Sequence, residues 1–300
     1  MQFFKTPNIN FMETRRRAMI VSAVLLLIGM GSVVFHGGFK ASIDFSGGAL
    51  VEIQTDTVVP LQDIRDIVSQ SGFSGAEVTN FGQANEYLIK VKAIGNAAEV
   101  SDQLRTVLED NLAGANVDVR RVESVGPKIG SELRTAAIWA ILYSLFGIIV
   151  YVSWRFEFRF AVAAIIALVH DVLFTLGLFS IIDLEVSLAV VAAILTIVGY
   201  SLNDTIVVFD RIRENLHTRR RDSYAKLVNS SINETLSRTL ITSLTTLIVV
   251  IGLVLFGGEV IRDFAVTLLI GVLVGTYSSI FIASPVLVEW QMRRVTRGKK

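Results

Sequence analysis

The sequence predicts a polytopic α-helical membrane protein with six transmembrane helices and a small α+β, ferredoxin-like domain hung between the first helix and the second. Three observations carry this. The 300 residues are 52% hydrophobic and only 18% charged, with a mean hydropathy of +0.58. The charges cluster between long apolar runs, and about 20 apolar residues are what a bilayer core of about 30 Å requires. One stretch, 36–130, breaks that pattern with short alternating strands and amphipathic helices. The net charge of +1 averages over segregated charges, and the absence of cysteine excludes disulfides, thiolate metal sites and thiol nucleophiles.

Residues 1–17 form a tail whose Arg15, Arg16 and Arg17 precede the first apolar run, 18–35. That run is longer than the 7–15 residues of a signal-peptide core and no clear A-x-A site follows, so a retained span is expected. In the domain, 48–54 alternates as a strand, and Pro60 opens a helix with Leu61, Ile64, Ile67 and Val68 on one face. Segments 77–80 and 87–91 read as strands. Segment 98–112 reads as a helix with Val100, Leu104, Val107 and Leu108 inward, and 117–125 as a last strand. The order β-α-β-β-α-β is the split βαβ motif. Gly126-Pro127-Lys128-Ile129-Gly130 reads as a hinge or turn into the second span.

The remaining spans fall at 136–152, 160–182, 186–209, 239–256 and 264–288, and helix is expected because lipid offers backbone groups no other partner. Lys and Arg in the short flanks set the orientation. Arg155 and Arg159 separate the second and third spans. The stretch 210–238, expected as a loop, carries Arg211, Arg213, Arg219, Arg220, Arg221 and Lys226, and the tail 291–300 holds Arg293, Arg294, Arg297, Lys299 and Lys300. Alternate connections hold Asp183 and Glu185 without a basic residue, and Glu259 and Asp263 with only Arg262. Both termini are therefore expected in the cytoplasm and the domain outside it. Between Lys40 and Lys128 there are 8 basic and 13 acidic residues, a net of −5, which disfavours nucleic acid as a partner.

Ionisable residues inside spans are costly and are functional candidates by default. The third span carries His170 and Asp171, the fourth Asn203 and Asp204, and the fifth begins with Arg238 followed by Thr239, Thr242, Ser243, Thr245 and Thr246. The fourth and fifth spans are antiparallel neighbours, which places Asp204 and Arg238 at similar depth. A carboxylate in apolar surroundings resists ionisation, and an approaching arginine, whose own charge does not titrate, reverses that preference. The pair therefore suits cyclic proton uptake and release, with the hydroxyls after Arg238 as a water file. A static ion pair is the plainer reading. His170 and Asp171 equally read as interhelical hydrogen-bond partners, and adjacent helical residues point in different directions. Gly271 and Gly275, with Gly199 on the fourth span, read as close-packing positions. The arginine-rich stretch reads as topology and lipid contact. His36 and His217 carry no hypothesis. No Walker A, G-x-S-x-G or H-E-x-x-H sequence is present, so no enzyme is expected.

Four segments resemble the SecF family of bacterial protein-export subunits, within the SecD/SecF group of the RND superfamily. They are Ile43-Asp44-Phe45-Ser46-Gly47-Gly48 at the start of the domain, His170-Asp171, Val198 through Asn203-Asp204-Thr205 to Asn215, and Arg238-Thr239-Leu240-Ile241-Thr242-Ser243. The resemblance implies a partner, SecD, that completes a pseudo-symmetric set of twelve spans in the bacterial inner membrane. It further implies work alongside the SecYEG channel, with YajC and YidC, on translocating preproteins, driven by the proton-motive force after the ATP-dependent stage. On that resemblance Asp204 is the acid of the ion pathway, Arg238 its basic counterpart and Asp171 a supporting member. No cofactor is implied beyond the coupling ion, a proton or, in some relatives, sodium. The rival readings are an RND-type exporter of lipids or hydrophobic solutes, a structural scaffold and an intramembrane enzyme. The exporter would need an apolar pocket of about 300–1,000 Å³ in the outer domain.

Overall fold

The computed structural model describes residues 7–73, 75–92, 97–112, 116–219 and 221–297. Arg220, Lys299 and Lys300 of the basic flanks lie outside them, as do the side chains of Glu259, Arg294 and Arg297. Among the described residues six helices are long and apolar enough to cross a membrane, as expected. They are α1 (Phe11–Phe35), α5 (Pro127–Arg155), α6 (Phe158–Ile181), α7 (Leu188–Thr218), α8 (Tyr224–Phe256) and a composite sixth span. That last span is α9 (Gly258–Ser278), a π-helical segment (Ser279–Ala283) and α10 (Ser284–Arg297) in continuous succession. A π turn inside a helix is rare and marks functional sites more often than chance.

The small domain carries α2 (Ile43–Ser46), β1 (Gly48–Thr55), α3 (Leu61–Gln70), β2 (Glu77–Asn80), β3 (Glu86–Val91), α4 (Ala97–Asn111) and β4 (Val117–Val125). The sheet is antiparallel throughout, in the order β2-β3-β1-β4, as the split βαβ reading requires. One face is packed: Val51, Ile53, Tyr87 and Ile89 from the strands meet Ile64 and Val68 of α3 and Leu104 and Leu108 of α4, all fully buried. Tyr87 keeps its hydroxyl satisfied inside that core by donating to the Val59 carbonyl and accepting from the Val59 amide. α2, a single turn, has no counterpart in the expected elements.

Two expectations are corrected. The sequence 126–130 is not a hinge, because β4 ends at Val125, Gly126 is the N-cap and Pro127 already occupies the first turn of α5, a position that suits its fixed φ. Nor is 210–238 a loop. α7 continues to Thr218 and α8 begins at Tyr224, with Ser223 accepting from the Lys226 amide as N-cap. Two of the arginines there are absorbed into ion pairs: Glu234 on α8 takes Arg211 and Arg219 from across the turn, and Asn215 adds a hydrogen bond of 2.9 Å. Arg15 is likewise paired, with Glu289 at 3.1 Å.

Within the bundle, α6, α7 and the sixth span form the buried centre, while α1, α5 and α8 expose most of their apolar surface. Small residues set the spacing. Ala161, Ala163, Ala164 and Ala167 line the buried side of α6. α1 crosses α6 at Gly29 and Gly177, where a β-carbon on 177 would stand 2.9 Å from the Gly29 Cα. Phe156, Phe160 and Phe209 close the end remote from the domain with edge-to-face contacts.

Gly177→Val forces two helix backbones apart, since no side chain at the crossing can move aside. Overpacking of this kind costs about 1–3 kcal/mol. A lowered unfolding temperature in mild detergent is expected for Gly177→Val and no change for Gly147→Val, whose β-carbon meets open space.

Candidate functional site

The centre of the bundle holds two carboxylates. Asp171 on α6 is 1% exposed and Asp204 on α7 is 6% exposed, and no lysine or arginine among the described residues comes within ion-pair distance of either. Hydroxyls serve them instead. Asp204 accepts from Thr239 of α8 at 2.6 Å on one oxygen and from Ser279 of the sixth span at 2.8 Å on the other. Asp171 accepts from Ser201 of α7 at 2.6 Å and from Ser278 of the sixth span at 2.7 Å, both on Oδ2. Its Oδ1 faces the Nδ1 of His170 at 3.0 Å. Hydrogen bonds to an ionised acceptor are roughly twice as strong as neutral ones, which is how hydroxyl dipoles can hold a charge in this setting.

Glycines bring the donors close enough. A β-carbon at Gly275 would lie 3.0 Å from the Ser201 Cβ, and one at Gly271 would run into Ile197, so α9 lies directly on α7. Gly199 is different: its β-carbon would meet nothing, and it takes no part in this packing. The π segment follows at once, and the Ser284 hydroxyl donates to the Ser279 carbonyl at 2.9 Å.

Three site expectations meet a different geometry. His170 and Asp171 do touch, because their side chains bend toward each other although their Cα–Cβ directions diverge. Arg238 makes no ion pair with Asp204. It sits on the exposed face of α8 while its neighbour Thr239 turns inward to the carboxylate, and its charge acts on Asp204 only at longer range. Asn203 is also exposed. The hydroxyls of Thr242, Thr245 and Thr246 bond to carbonyls of their own helix, while Ser243 pairs with the Thr276 hydroxyl of the sixth span at 2.7 Å. Ser201, Thr239 and Ser279 were not singled out as ligands of the carboxylates, since a hydroxyl in a span carries no signal until its neighbour is known.

At the foot of the domain, the motif around Asp44 joins the membrane helices. The Asp44 carboxylate accepts from the Leu188 amide, the first residue of α7, at 2.9 Å. Ser42 donates to the Val186 carbonyl at 3.1 Å, and Val186 donates to the Lys40 carbonyl at 2.8 Å. Gly47 takes a positive φ of 74° and passes so near Pro127 that a β-carbon would lie 3.0 Å from its Cα. Gly130 is equally tight against the Phe45 carbonyl, and Gly48 against the Val91 carbonyl. Around this joint Lys90 bonds Glu185 at 2.9 Å, and Lys40 reaches Glu77 at 3.3 Å and Asp183 at 3.5 Å.

Known proteins share this fold. A family model described as "Protein export membrane protein SecD/SecF, C-terminal" matches residues 104–293. The chain belongs to the SecD/SecF family. It is 47% identical to a protein translocase subunit SecF of Desulfurispirillum indicum, over 98% of this chain and 95% of that one. It is 44% identical to the protein translocase subunit SecDF of Thermus thermophilus, over 96% of this chain but only 39% of that one. The crystal structure of a Thermus SecDF, described as a translocon-associated membrane protein, superposes with a TM-score of 0.84 at 41% identity, covering 95% of this chain and 39% of that one. A SecD/SecF protein with six apolar spans is a multi-pass membrane protein, and this chain matches about two-fifths of the SecDF polypeptide.

The charges at the foot of the domain give that joint a pH dependence. Burial pushes the Glu77 carboxyl up, but its hydrogen bond with Glu185 and the charges of Lys40 and Lys90 outweigh burial and hold it below the ordinary glutamate value of 4.5. Burial and the hydrogen bond with Glu77 hold Glu185 above that value, against the pull of Lys90. Burial opposes the charge on Lys40, yet Glu77, Asp183 and Glu185 prevail and keep its pKa above 10.5. The Glu77 contribution is present above 4.5 and lost as pH falls through its lowered value. That of Glu185 is present below 4.5 and lost as pH rises through its raised value, and that of Lys40 persists until pH passes its own raised value. Acidification through the lowered Glu77 value should therefore loosen the joint at its Glu77–Lys40 contact. Spin labels on cysteines introduced at the exposed positions Val58 and Ile182 read this as a broadened distance distribution at acid pH, and Lys90→Gln should broaden it already at neutral pH.

Proposed function

We propose that the chain is the SecF-type half of an ion-driven unit that assists protein export across the bacterial inner membrane, with Asp204 as the group that binds and releases the coupling ion. The observation that carries this reading is the setting of Asp204: a carboxylate buried within a span, held by two hydroxyls and without a basic partner in contact. Such a group takes up a proton readily, and each charge moved across the membrane potential supplies about 2.3 kcal/mol per 100 mV. Arg238 precedes Thr239 on α8, so its long side chain reaches the same carboxylate when α7 and α8 shift, and displaces the proton. Asp171 and His170 support the pathway. The coupling ion is a proton, with sodium as the alternative, and no other cofactor is needed.

A partner half completes the assembly. Asn203 and Arg238 are exposed on spans where lipid satisfies neither, and the SecDF relative carries this chain's equivalent in one polypeptide with more than half its length again outside the match. SecD is the partner of that chemistry. SecYEG, with YajC and YidC, supplies the channel, and the domain stands on the side where preprotein emerges. The basic flanks favour both termini in the cytoplasm. The names of the relatives describe translocase subunits, which agrees with a transport role and no enzymatic one. The exporter reading has a cleft of sufficient size, about 600 Å³ beside the domain's foot, but Lys40, Arg65, Glu77, Lys90, Lys92 and Glu185 line it. A hydrophobic solute would find charge there in place of an apolar wall.

In cells, Asp204→Asn should leave the assembly intact and reduce stimulated export to the level of a strain lacking the chain. Arg238→Lys should be severely defective despite its retained charge, because lysine lacks the planar fork. Copurification in mild detergent should bring down a SecD-like protein and the channel. Normal export by Asp204→Asn with intact assembly would favour a scaffold.

A further inference from the structure

We infer that His170 and Asp171 form a second proton-binding station, coupled to Asp204 through the adjacent serines Ser278 and Ser279 of the sixth span. The inference rests on the reading of Asp204 above but concerns a different group and a different readout. Its first support is the shared wiring. Consecutive residues of one backbone serve the two acids, Ser278 at 2.7 Å from Asp171 and Ser279 at 2.8 Å from Asp204, and Ser201 binds Asp171 from the turn of α7 that precedes Asp204. All three serines are fully buried.

The second support is a buried polar atom without a partner. With Asp171 ionised, its Oδ1 only accepts, so His170 Nδ1 carries the hydrogen of their 3.0 Å contact and Nε2 of the neutral ring bears a lone pair. That Nε2 is buried and has no hydrogen-bond partner, with the rings of Phe174 and Tyr277 close to the imidazole. A proton arriving there forms the Nε2–H bond, the Nδ1–H bond breaks, and its proton passes to Asp171 Oδ1. The ring is left neutral in its other tautomer and Asp171 is left as the acid. One proton is gained and no other reactant is needed.

The serines then respond. Each has a single hydroxyl hydrogen and two acceptors in reach: Ser278 has Asp171 and the Gly275 carbonyl at 3.1 Å, and Ser279 has Asp204 and the Thr276 carbonyl at 3.0 Å. An ionised carboxylate claims the hydrogen, and a protonated one releases it to the helix backbone. The release falls where the backbone passes from α into π geometry, a place where helix register can change. On the turns that flank the two acids, the other titratable or charged groups of the packed elements are Tyr200 on α7, Arg238 on α8 and Tyr277 on α9, whose hydroxyl is engaged with Ser22 of α1 at 2.9 Å, while charges such as Arg159 of α6, Asp210 and Arg211 of α7, Lys226 and Glu234 of α8 and Arg262 and Asp263 of α9 lie toward the helix ends. No ion pair reaches either acid from any of them, so ionising one carboxylate disfavours ionising the other.

The test is infrared titration of protonated carboxyl bands in the full chain, purified with its SecD-type partner and reconstituted in lipid vesicles. Wild type should show two buried carboxyl bands. Asp171→Asn should remove one and lower the midpoint of the other by about one pH unit, a tenfold change in proton affinity. Asp204→Asn should do the converse. Ser278→Ala should raise the Asp171 midpoint by removing a donor to its charged form, and His170→Gln should shift the same band. Unfolding temperatures confirm that each variant is assembled, and the serine and histidine variants read Asp171 with both acids in place. A single band that Asp204→Asn abolishes would overturn the inference, as would two bands whose midpoints ignore each other. Either result leaves the proposal for Asp204 standing, since that is judged on export.

Discussion

Two carboxyl groups lie inside a bundle whose described lysines and arginines make no ion pair with them, and much of the architecture is arranged around that constraint. A carboxylate deprived of water must be met by hydrogen bonds or else accept a proton. Here short hydroxyls do the meeting, and a serine reaches only as far as its backbone allows. The sixth span therefore lies directly on α7, which the glycines at 271 and 275 permit. It also presents two consecutive residues to two different helices. Neighbours on an α-helix are about 100° apart, so Ser278 and Ser279 naturally aim at α6 and α7 respectively, and the π segment begins at the second of them.

The polarity of the rest of the bundle follows from this centre. At the end remote from the domain, charges are paired among themselves, as Glu234 with Arg211 and Arg219 and Glu289 with Arg15. At the near end, the lysines and acids of the joint bind the domain to the connection between α6 and α7. Between these two pinned ends, α8 carries Thr239 inward and Arg238 outward on successive positions. The helix holds both a neutral donor and a fixed charge within reach of Asp204, and a modest repacking decides which of them is used.

The fold was legible because its signals are periodic and local. Apolar runs announce spans, and alternation with period 2 or 3.6 announces the domain's strands and helices. Asp171 and Asp204 were legible because an acid in a span is expensive. What escaped was pairing across sequence. Gly29 and Gly177 belong to different helices and form no spaced motif, whereas Gly271 and Gly275 do. Asp44 caps α7 from 144 residues away, and nothing near either residue announces it. Apolarity alone set the limits of 210–238, and it missed the helix there because polar helix turns look like loop once they leave the membrane. Arg238 was placed at the right depth and on the wrong face, since hydropathy resolves depth far better than rotation about a helix axis.

The attachment of the outer domain has a mechanical consequence. The chain enters it from α1, leaves it from β4 into α5 with only Gly126 between, and fastens its first turn to the head of α7 through Asp44. A body resting on three legs has no tilt of its own, and its attitude is set by the relative heights of the legs. The domain is such a tripod on α1, α5 and α7. One of those legs carries Asp204, so the helix that holds the buried carboxyl is the same helix whose head fastens the domain's first turn.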